Sequence, residues 1–177
     1  WGVSAGELQN YQPEVNRPSS LRAGAGSFCA INENGSVQKW NVPFFSSLAG
    51  SPDQINSCVD IALASFTGIA LLVDNSIVSW GNSGVNLNYL GSIPSALSNS
   101  GKAISAYNKS HAVIGMDNRL YVWGQDVQLT TDVINSPNKA SLGLMHVAVL
   151  KSDGKAEGWT VTKNNITQDD KVLAEAA

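Results

Sequence analysis

Apolar and polar positions follow the same order in four separate stretches of the chain. Each stretch has a short apolar run, a two-residue turn signal and a second run that ends in tryptophan. In each, the three positions that lie nine, ten and eleven residues before the tryptophan are apolar. Because successive side chains of a strand point to opposite faces, such a triplet indicates a strand covered on both faces. The stretches are Ser27–Trp40, Thr67–Trp80, Ser110–Trp123 and His146–Trp159.

A pair of turn-forming residues lies five and six residues before each of these tryptophans. Asn-Gly and Asp-Gly favour a two-residue type I′ turn, in which both central residues need positive φ. Asn tolerates that backbone region better than most side chains. The spacing therefore predicts four tight β-hairpins with type I′ turns. The pairs are Asn34-Gly35, Asp74-Asn75, Asp117-Asn118 and Asp153-Gly154.

The tryptophans recur with a period near 40 residues. From Trp1 to Trp159 the successive spacings are 39, 40, 43 and 36 residues. A period near 40 built from strands and turns, without helical periodicity, is typical of a β-propeller blade. One blade leaves apolar faces exposed, and stacking of neighbouring blades buries them. At its constant place in a strand, the tryptophan column is expected to lie in the core between blades.

The pattern therefore predicts an all-β fold, a propeller-like array of about four blades. The repeats are placed at about 1–41, 42–81, 82–124 and 125–160. Residues 161–177 would start a further repeat or form a polar tail that ends as a helix. A strand is expected to lead into each hairpin, at Leu21–Gly26, Asp60–Ser65, Ala103–Tyr107 and Ala140–Gly143.

Composition narrows the classes of function. The chain has 177 residues, 43% apolar, 14% charged and a net charge of −3, and its basic residues are scattered. Phosphate binding needs clustered Lys and Arg, so a nucleic-acid partner is not expected. No apolar run approaches the length of a membrane-spanning helix, so no membrane insertion is expected. The start at Trp1, without Met or a signal peptide, suggests a processed or excised piece, and a secreted or cell-surface location is slightly favoured.

Candidate catalytic chemistry is sparse. His111 and His146 have no partners that the sequence can place, and they are interpreted as packing residues of the blades. There is no nucleophile elbow, and two Cys and two His do not have metal-ligand spacing. We therefore expect no enzyme, no cofactor and no metal. Cys29 is interpreted as a buried small hydrophobe, and a Cys29–Cys58 disulfide stays open as an alternative.

Several short motifs recur around the hairpins: Trp-Gly, Ala-x-Gly before the hairpin, His at its start and Asp-Gly at its turn. With these motifs the chain resembles the regulator of chromosome condensation repeat, the unit of seven-bladed propellers. Its short connections with a central Pro, and the phrase SNSGKAISAY, are most similar to the propeller-type β-lactamase-inhibitory proteins. The matching residues include Trp1-Gly2, Ala23-Gly24, Trp80-Gly81, Trp123-Gly124, Gly143, His146 and Asp153-Gly154.

The resemblance has consequences for assembly and for partner binding. A seven-bladed ring needs roughly 280 residues, so four units would be a segment of a larger propeller or would close by pairing with another copy. In the inhibitory relatives, the loop between the first strand and the hairpin carries aromatic residues that contact the partner. The partner-binding candidates on these loops and on one connection are Phe66, Tyr107, Lys109, Leu144, Met145, Phe44 and Phe45.

Three Asn-x-Ser/Thr sequons occur, at Asn34, Asn108 and Asn165. The tight turn alone explains Asn34, which leaves Asn108 and Asn165 as candidate glycosylation sites if the chain enters a eukaryotic secretory route.

The leading hypothesis is a non-enzymatic protein-interaction or assembly module, whose loops on one face hold a protein partner or a further copy of the chain. The first alternative is a guanine-nucleotide exchange or chromatin-docking propeller, which the acidic balance and the lack of a basic tail disfavour. The second is a lectin-like propeller that binds carbohydrate, which stacked exposed aromatic residues would favour.

Overall fold

The chain folds into β-strands throughout its described part. The computed structural model describes residues 17–24, 27–41, 51–81, 93–124, 127, 130–163 and 165–174. Apart from a 3₁₀ helix at Ser95–Leu97, these residues contain no helix. The strands are β1 (Pro18–Gly24), β2 (Ser27–Asn32), β3 (Val37–Asn41), β4 (Cys58–Leu63), β5 (Thr67–Leu72), β6 (Ile77–Gly81), β7 (Gly101–Tyr107), β8 (Ser110–Gly115), β9 (Arg119–Gly124), β10 (Thr130–Val133), β11 (Pro137–Leu142), β12 (His146–Lys151), β13 (Ala156–Val161) and β14 (Ile166–Ala174).

The strands form four antiparallel sheets in chain order, which we call blades one to four. Their strand orders are β1-β2-β3, β4-β5-β6, β10-β9-β8-β7 and β11-β12-β13-β14. The first strands of successive blades, β1, β4, β7 and β11, contact one another in that order, so they lie side by side. We call these four the inner strands. The predicted all-β, propeller-like array of about four blades is confirmed.

The core lies between the blades, in three hydrophobic clusters. The face of a blade that points to the preceding blade is called its front face, and the opposite face its back face. Each cluster joins the back face of one blade to the front face of the next. Blades one and two share Cys29, Ile31, Ile61, Ala70 and Trp80. Blades two and three share Ile69, Leu71, Ile104, Val113 and Trp123. Blades three and four share Ala112, Ile114, Val147, Val149 and Trp159.

The tryptophan column lies on the front faces. Trp80, Trp123 and Trp159 are buried against the preceding blade, with 5%, 4% and 1% of their surface exposed. The Trp159 indole also donates to an Asp132 oxygen of blade three at 3.3 Å. Trp40 is only half-buried, and its ring stacks on Phe28 at 5.9 Å within blade one. Trp80, Trp123 and Trp159 match the expected inter-blade core, and Trp40 does not lie in one of the three clusters.

The hairpin turns differ from the predicted type I′ turns. Only the second residue of each pair has positive φ, between 60° and 84°. That residue donates its N–H three residues back, as Gly35 does to the Asn32 carbonyl at 2.8 Å. Each hairpin therefore has a three-residue loop, a type I turn followed by a left-handed residue. The Asn or Asp before that residue stays in the ordinary region because its side chain accepts the amide two residues ahead at 3.0–3.1 Å.

The first two turns join their blades to the next through the main chain. The carbonyl of Gly35 accepts the N–H of Cys58 at 2.9 Å, and that of Asn75 accepts the N–H of Gly101 at 2.8 Å. Cys58 and Gly101 begin the inner strands of the following blades. The third turn makes no such bond, because Pro137 begins the fourth inner strand and has no N–H. The Asn118 carbonyl instead accepts the N–H of Ile134 at 2.9 Å, which continues the pairing of β10 with β9 inside blade three.

Two strands lie in segments where the sequence predicted none. β10 falls within the predicted connection between the third and fourth repeats, and it pairs with β9. β14 pairs with β13, so the suggested helical end of the tail is wrong as far as Ala174. Blades three and four therefore take their outer strands from residues after their tryptophans. The boundaries of the predicted repeats remain predictions. Those repeats were counted from one tryptophan to the next, whereas each sheet has its tryptophan inside it.

The two cysteines are buried and free, so they do not form the Cys29–Cys58 disulfide that the sequence left open. Both lie in the cluster between blades one and two. Burial raises the pKa of Cys29 to about 12 and that of Cys58 to about 11. Both thiols are therefore protonated at neutral pH and pack as small hydrophobes, as expected for Cys29.

Candidate functional site

The candidate site is the end of the array at which each inner strand connects to the second strand of its blade. Three of these loops are described, at residues 64–66, 108–109 and 143–145. Because every blade runs antiparallel in the same order, the three loops lie at one end of the array, and the hairpin turns lie at the other. We call the surface of these loops the loop face, and the end with the hairpin turns the turn end.

Main-chain hydrogen bonds fix the loops of the loop face. In blade two, Ala64 donates to the Thr67 carbonyl at 2.9 Å, and in blade four Gly143 donates to the His146 carbonyl at 2.8 Å. The loop of blade three is a two-residue turn with Asn108 at φ 53°. Ser65 donates to the Asn108 carbonyl at 2.8 Å, which joins the loops of blades two and three directly.

The loop face exposes apolar side chains. Leu144 is 67% exposed, and Tyr107 and Met145 are each 47% exposed. Phe66 and Lys109 are half-buried. The fold therefore carries these five candidate residues at one end of three neighbouring blades. Phe44 and Phe45 lie outside the described residues.

A buried polar contact lies beneath the loops, and sequence reasoning missed it. The Nε2 atom of His111 lies 3.1 Å from the Thr67 hydroxyl, which joins blade three to blade two. His111 is fully buried, and its ring packs at a tilt on Trp123 with centroids 5.4 Å apart. Burial lowers the pKa of His111 to about 4, so the ring is neutral at neutral pH. The only signal in the sequence was a histidine at the start of an apolar strand.

A concave region lies on the inner strands, near the turn end. Its volume is about 370 Å³, and its lining includes Lys102, Lys139 and the ion pair between Arg22 and Asp60. That ion pair joins blades one and two at 2.5 Å, and the Lys102 ammonium donates to the Pro137 carbonyl of blade four at 2.5 Å. Three of these four charged groups therefore bridge neighbouring blades.

The sequon residues are all exposed. Asn34 accepts the amide of Ser36 within its turn, Asn108 forms the loop of blade three, and Asn165 accepts the amide of Ile166 before β14. Within the described ranges, no three His, Cys, Asp or Glu side chains are grouped closely enough to hold a metal ion. The described part also has no helix long and apolar enough to span a bilayer.

Sequence comparisons did not identify relatives. No protein-family model matches the chain, and no curated protein matches it significantly.

Comparison of the fold with solved structures identified many propellers. Prp20p of Saccharomyces cerevisiae, the yeast RCC1, aligns with a TM-score of 0.65 and 15% identity over 90% of this chain and 52% of its own. Human WBSCR16 aligns with a TM-score of 0.59 and 16% identity over 84% of this chain and 49% of its own. The CRINKLY WD40 ectodomain of the Arabidopsis thaliana receptor kinase ACR4 aligns with a TM-score of 0.62 and 15% identity over 89% of this chain and 54% of its own.

These similarities establish an RCC1-like propeller fold. The chain spans about half the length of the solved structures that it matches. At identities of 15–16% the likeness concerns the fold alone. The particular similarity to the β-lactamase-inhibitory proteins remains a prediction from the sequence.

Proposed function

We propose that this chain is a non-enzymatic interaction module that holds a protein partner on its loop face. The observation that carries this proposal is the exposure of Tyr107 at the end of β7 and of Leu144 and Met145 in the loop of blade four, at the same end of the array. Exposed apolar side chains that are grouped on one surface are typical of protein-binding sites. Asn108 and Lys109 add polar groups beside them, as in the rim of a protein interface.

The structural neighbours are consistent with this class of function. Prp20p is described with binding properties to Gsp1p and histones, and it has been solved bound to Kap60. Other neighbours are ectodomains of plant receptor kinases. A secreted or cell-surface location, with glycans on Asn108 or Asn165, belongs to the same proposal. A glycan on Asn108 would cover part of the loop face.

A pull-down with matched variants tests the proposal. The double variant Leu144→Asp/Met145→Asp charges the loop face, and Val73→Asp/Met116→Asp charges the turn end. Val73 and Met116 are 69% and 57% exposed, so both pairs replace exposed apolar side chains. A partner from the source cells should be captured by the wild type and by the turn-end variant, and lost with the loop-face variant. Capture that survives the loop-face changes would contradict the proposal.

The exchange-factor alternative has one specific observation in its favour, the reported binding of Prp20p to Gsp1p. Retention of a small GTPase in the same pull-down would support it. Carbohydrate binding has less support, because Trp80, Trp123 and Trp159 are buried and Tyr107 is the exposed aromatic residue on the described loops. A glycan array tests this second alternative directly.

A further inference from the structure

The fold gathers basic side chains that are scattered along the sequence. Three of the eleven basic residues, Arg22, Lys102 and Lys139, line the concave region on the inner strands. They belong to β1, β7 and β11, and so to three different blades. Asp60 on β4 is the single carboxylate among the described lining residues. The concave region therefore carries an excess of positive charge, although the net charge of the chain is −3.

A β-bulge interrupts every inner strand where it enters its blade. In β7 the pairing shifts between Gly101 and Ala103, which leaves Lys102 as the extra residue. The other three inner strands shift at the equivalent place. Side chains alternate between the two faces of a regular strand, whereas a bulge re-aims one of them. Consecutive residues therefore both line the concave region, as Val59-Asp60, Lys102-Ala103 and Asn138-Lys139.

Hydrogen bonds hold two of the cationic side chains in place. The Arg22 guanidinium donates to Asp60 from Nε at 3.0 Å and to the Ser20 hydroxyl from Nη1 at 2.5 Å. The Lys102 ammonium donates to the Pro137 carbonyl, which uses one of its three N–H groups. Side chains that are already ordered lose less conformational entropy when they bind a ligand. Lys102 therefore keeps N–H groups for a ligand, at a position that its contact with blade four fixes.

Lys139 supplies a positive charge without a counterion. It is exposed on β11, and within the described chain its side chain makes no hydrogen bond or ion pair. Beside these charges the wall is apolar and includes Leu71, Ile104 and Ala140. Walls of low dielectric strengthen the field of the charges that line a cleft. The volume of about 370 Å³ lies near the lower end of the range for small-molecule sites, which indicates a small ligand.

We propose that the concave region binds a small anion with at least two negative charges, held through phosphate or carboxylate oxygens. Lys102 and Lys139 are the principal contacts, and Arg22 adds a third positive charge in the same recess. Ammonium groups act as point charges toward either kind of oxygen. The site is separate from the loop face, because the bulges lie near the turn end. A partner on the loop face and an anion in this recess therefore use different residues.

Titration of the whole chain with inorganic pyrophosphate and with citrate, at one low ionic strength, tests the proposal. Backbone amide chemical shifts in NMR spectra locate each probe and give its dissociation constant. The variants are Lys102→Gln, Lys139→Gln and Asp60→Asn, with Lys163→Gln as the matched control. Lys163 is exposed after β13, at the loop-face end of its blade. Lys139→Gln removes no contact within the described chain, so it tests the site even if another variant is unstable.

The amides of Ala103 and Lys139 should shift and saturate with at least one probe, and a preference between the probes identifies the ligand oxygen as phosphate or carboxylate. Lys102→Gln and Lys139→Gln should each weaken binding by about fivefold or more, because each removes a charged donor. Asp60→Asn should tighten binding, because it removes the negative charge of the recess, and Lys163→Gln should change binding little. Absence of saturable shifts at millimolar probe, equal losses in the Lys139 and Lys163 variants, or weaker binding by a folded Asp60→Asn variant would overturn the proposal.

Discussion

The two ends of the blades differ in how strictly the four units repeat one another. At the turn end, every blade has a three-residue hairpin loop, a left-handed residue and an Asn or Asp side chain on the amide two residues ahead. At the loop face, the three described loops differ in length and in residue type. The turn end therefore repeats one local structure in all four blades, whereas the loop face has a different structure in each described loop.

This difference suggests that the turn end serves the fold and that the loop face serves partner binding. The turn end joins blades through main-chain hydrogen bonds, so its residues are constrained by backbone geometry. The loops of the loop face connect the same rigid strands and are closed by their own hydrogen bonds, with one further bond between the loops of blades two and three. Their side chains differ from blade to blade. Exposed Leu144 and Met145 contribute little to the fold there, and their position suits a partner.

The largest predicted effect concerns the buried contact beneath the loop face. The unfolded chain binds a proton on His111 below about pH 6.5, whereas the folded chain binds it only below about pH 4. The stability is fully present above the unfolded pKa and is lost as the pH falls between these values. The free energy of unfolding should fall by about 3 kcal/mol from this group alone. Urea unfolding across this pH range should show a steeper decline in wild type than in His111→Gln, and parallel declines would contradict the assignment.

Replacing one glycine at each end of the blades by alanine should lower stability at the turn end and leave it nearly unchanged at the loop face. Gly35 has φ 77°, and a Cβ there would lie 2.9 Å from the Ser57 Cα atom. Gly35→Ala should therefore destabilise the fold by about 2–3 kcal/mol. Gly143 on the loop face has space, since its Cβ would lie 3.5 Å from the His146 carbonyl oxygen. Gly143→Ala should change stability by about 0.5 kcal/mol or less. Equal losses in thermal unfolding would remove the distinction between the two ends.

A smaller effect is expected at an exposed turn side chain. The hydroxyl of Ser76, together with its amide, hydrogen-bonds Asp74 and lowers the pKa of that carboxyl. The contribution of Asp74 is present above the usual aspartate pKa and is lost as the pH falls through the lowered value. Asp74→Ala should lower the melting temperature at neutral pH by less than Gly35→Ala does, and the difference from wild type should disappear in strong acid. A difference that persists there would contradict the hydrogen bond as its cause.

The smallest effect on stability should come from the loop face itself. Leu144→Asp and Met145→Asp replace exposed side chains, so each should change the free energy of unfolding by about 0.5 kcal/mol or less. Chemical denaturation of each variant measures this change. A large loss would mean that these residues support the fold, and it would leave their exposure without a functional explanation.

Much of the architecture was predictable from local patterns. The apolar triplets Ile69–Leu71 and Ala112–Ile114 are buried, because each lies between two blades, and Cys29–Ile31 of blade one is buried as well. The fourth triplet was predicted to be covered on both faces, but only Val149 is buried, since no described blade follows. Burial at the end of an array depends on what lies beside it, and the repeat alone does not encode that.

The parts that were missed depend on contacts distant in sequence or on fine backbone geometry. The same Asn-Gly pair suits a type I′ turn and a type I turn with a left-handed third residue, so the pair did not decide between them. β10 is only four residues long, and its β-branched Thr130, Thr131 and Val133 were its one local signal. The contact between His111 and Thr67 spans 44 positions and had no signature.

We propose that the loop face, and not the turn end, holds the partner. The most direct measurement is the dissociation constant of the captured partner for two single variants, Met145→Asp on the loop face and Met116→Asp at the turn end. Both replace an exposed methionine, 47% and 57% exposed, by the same charge. We expect the dissociation constant to rise by about tenfold or more for Met145→Asp and to change little for Met116→Asp. Equal effects, or a larger effect at Met116, would contradict it.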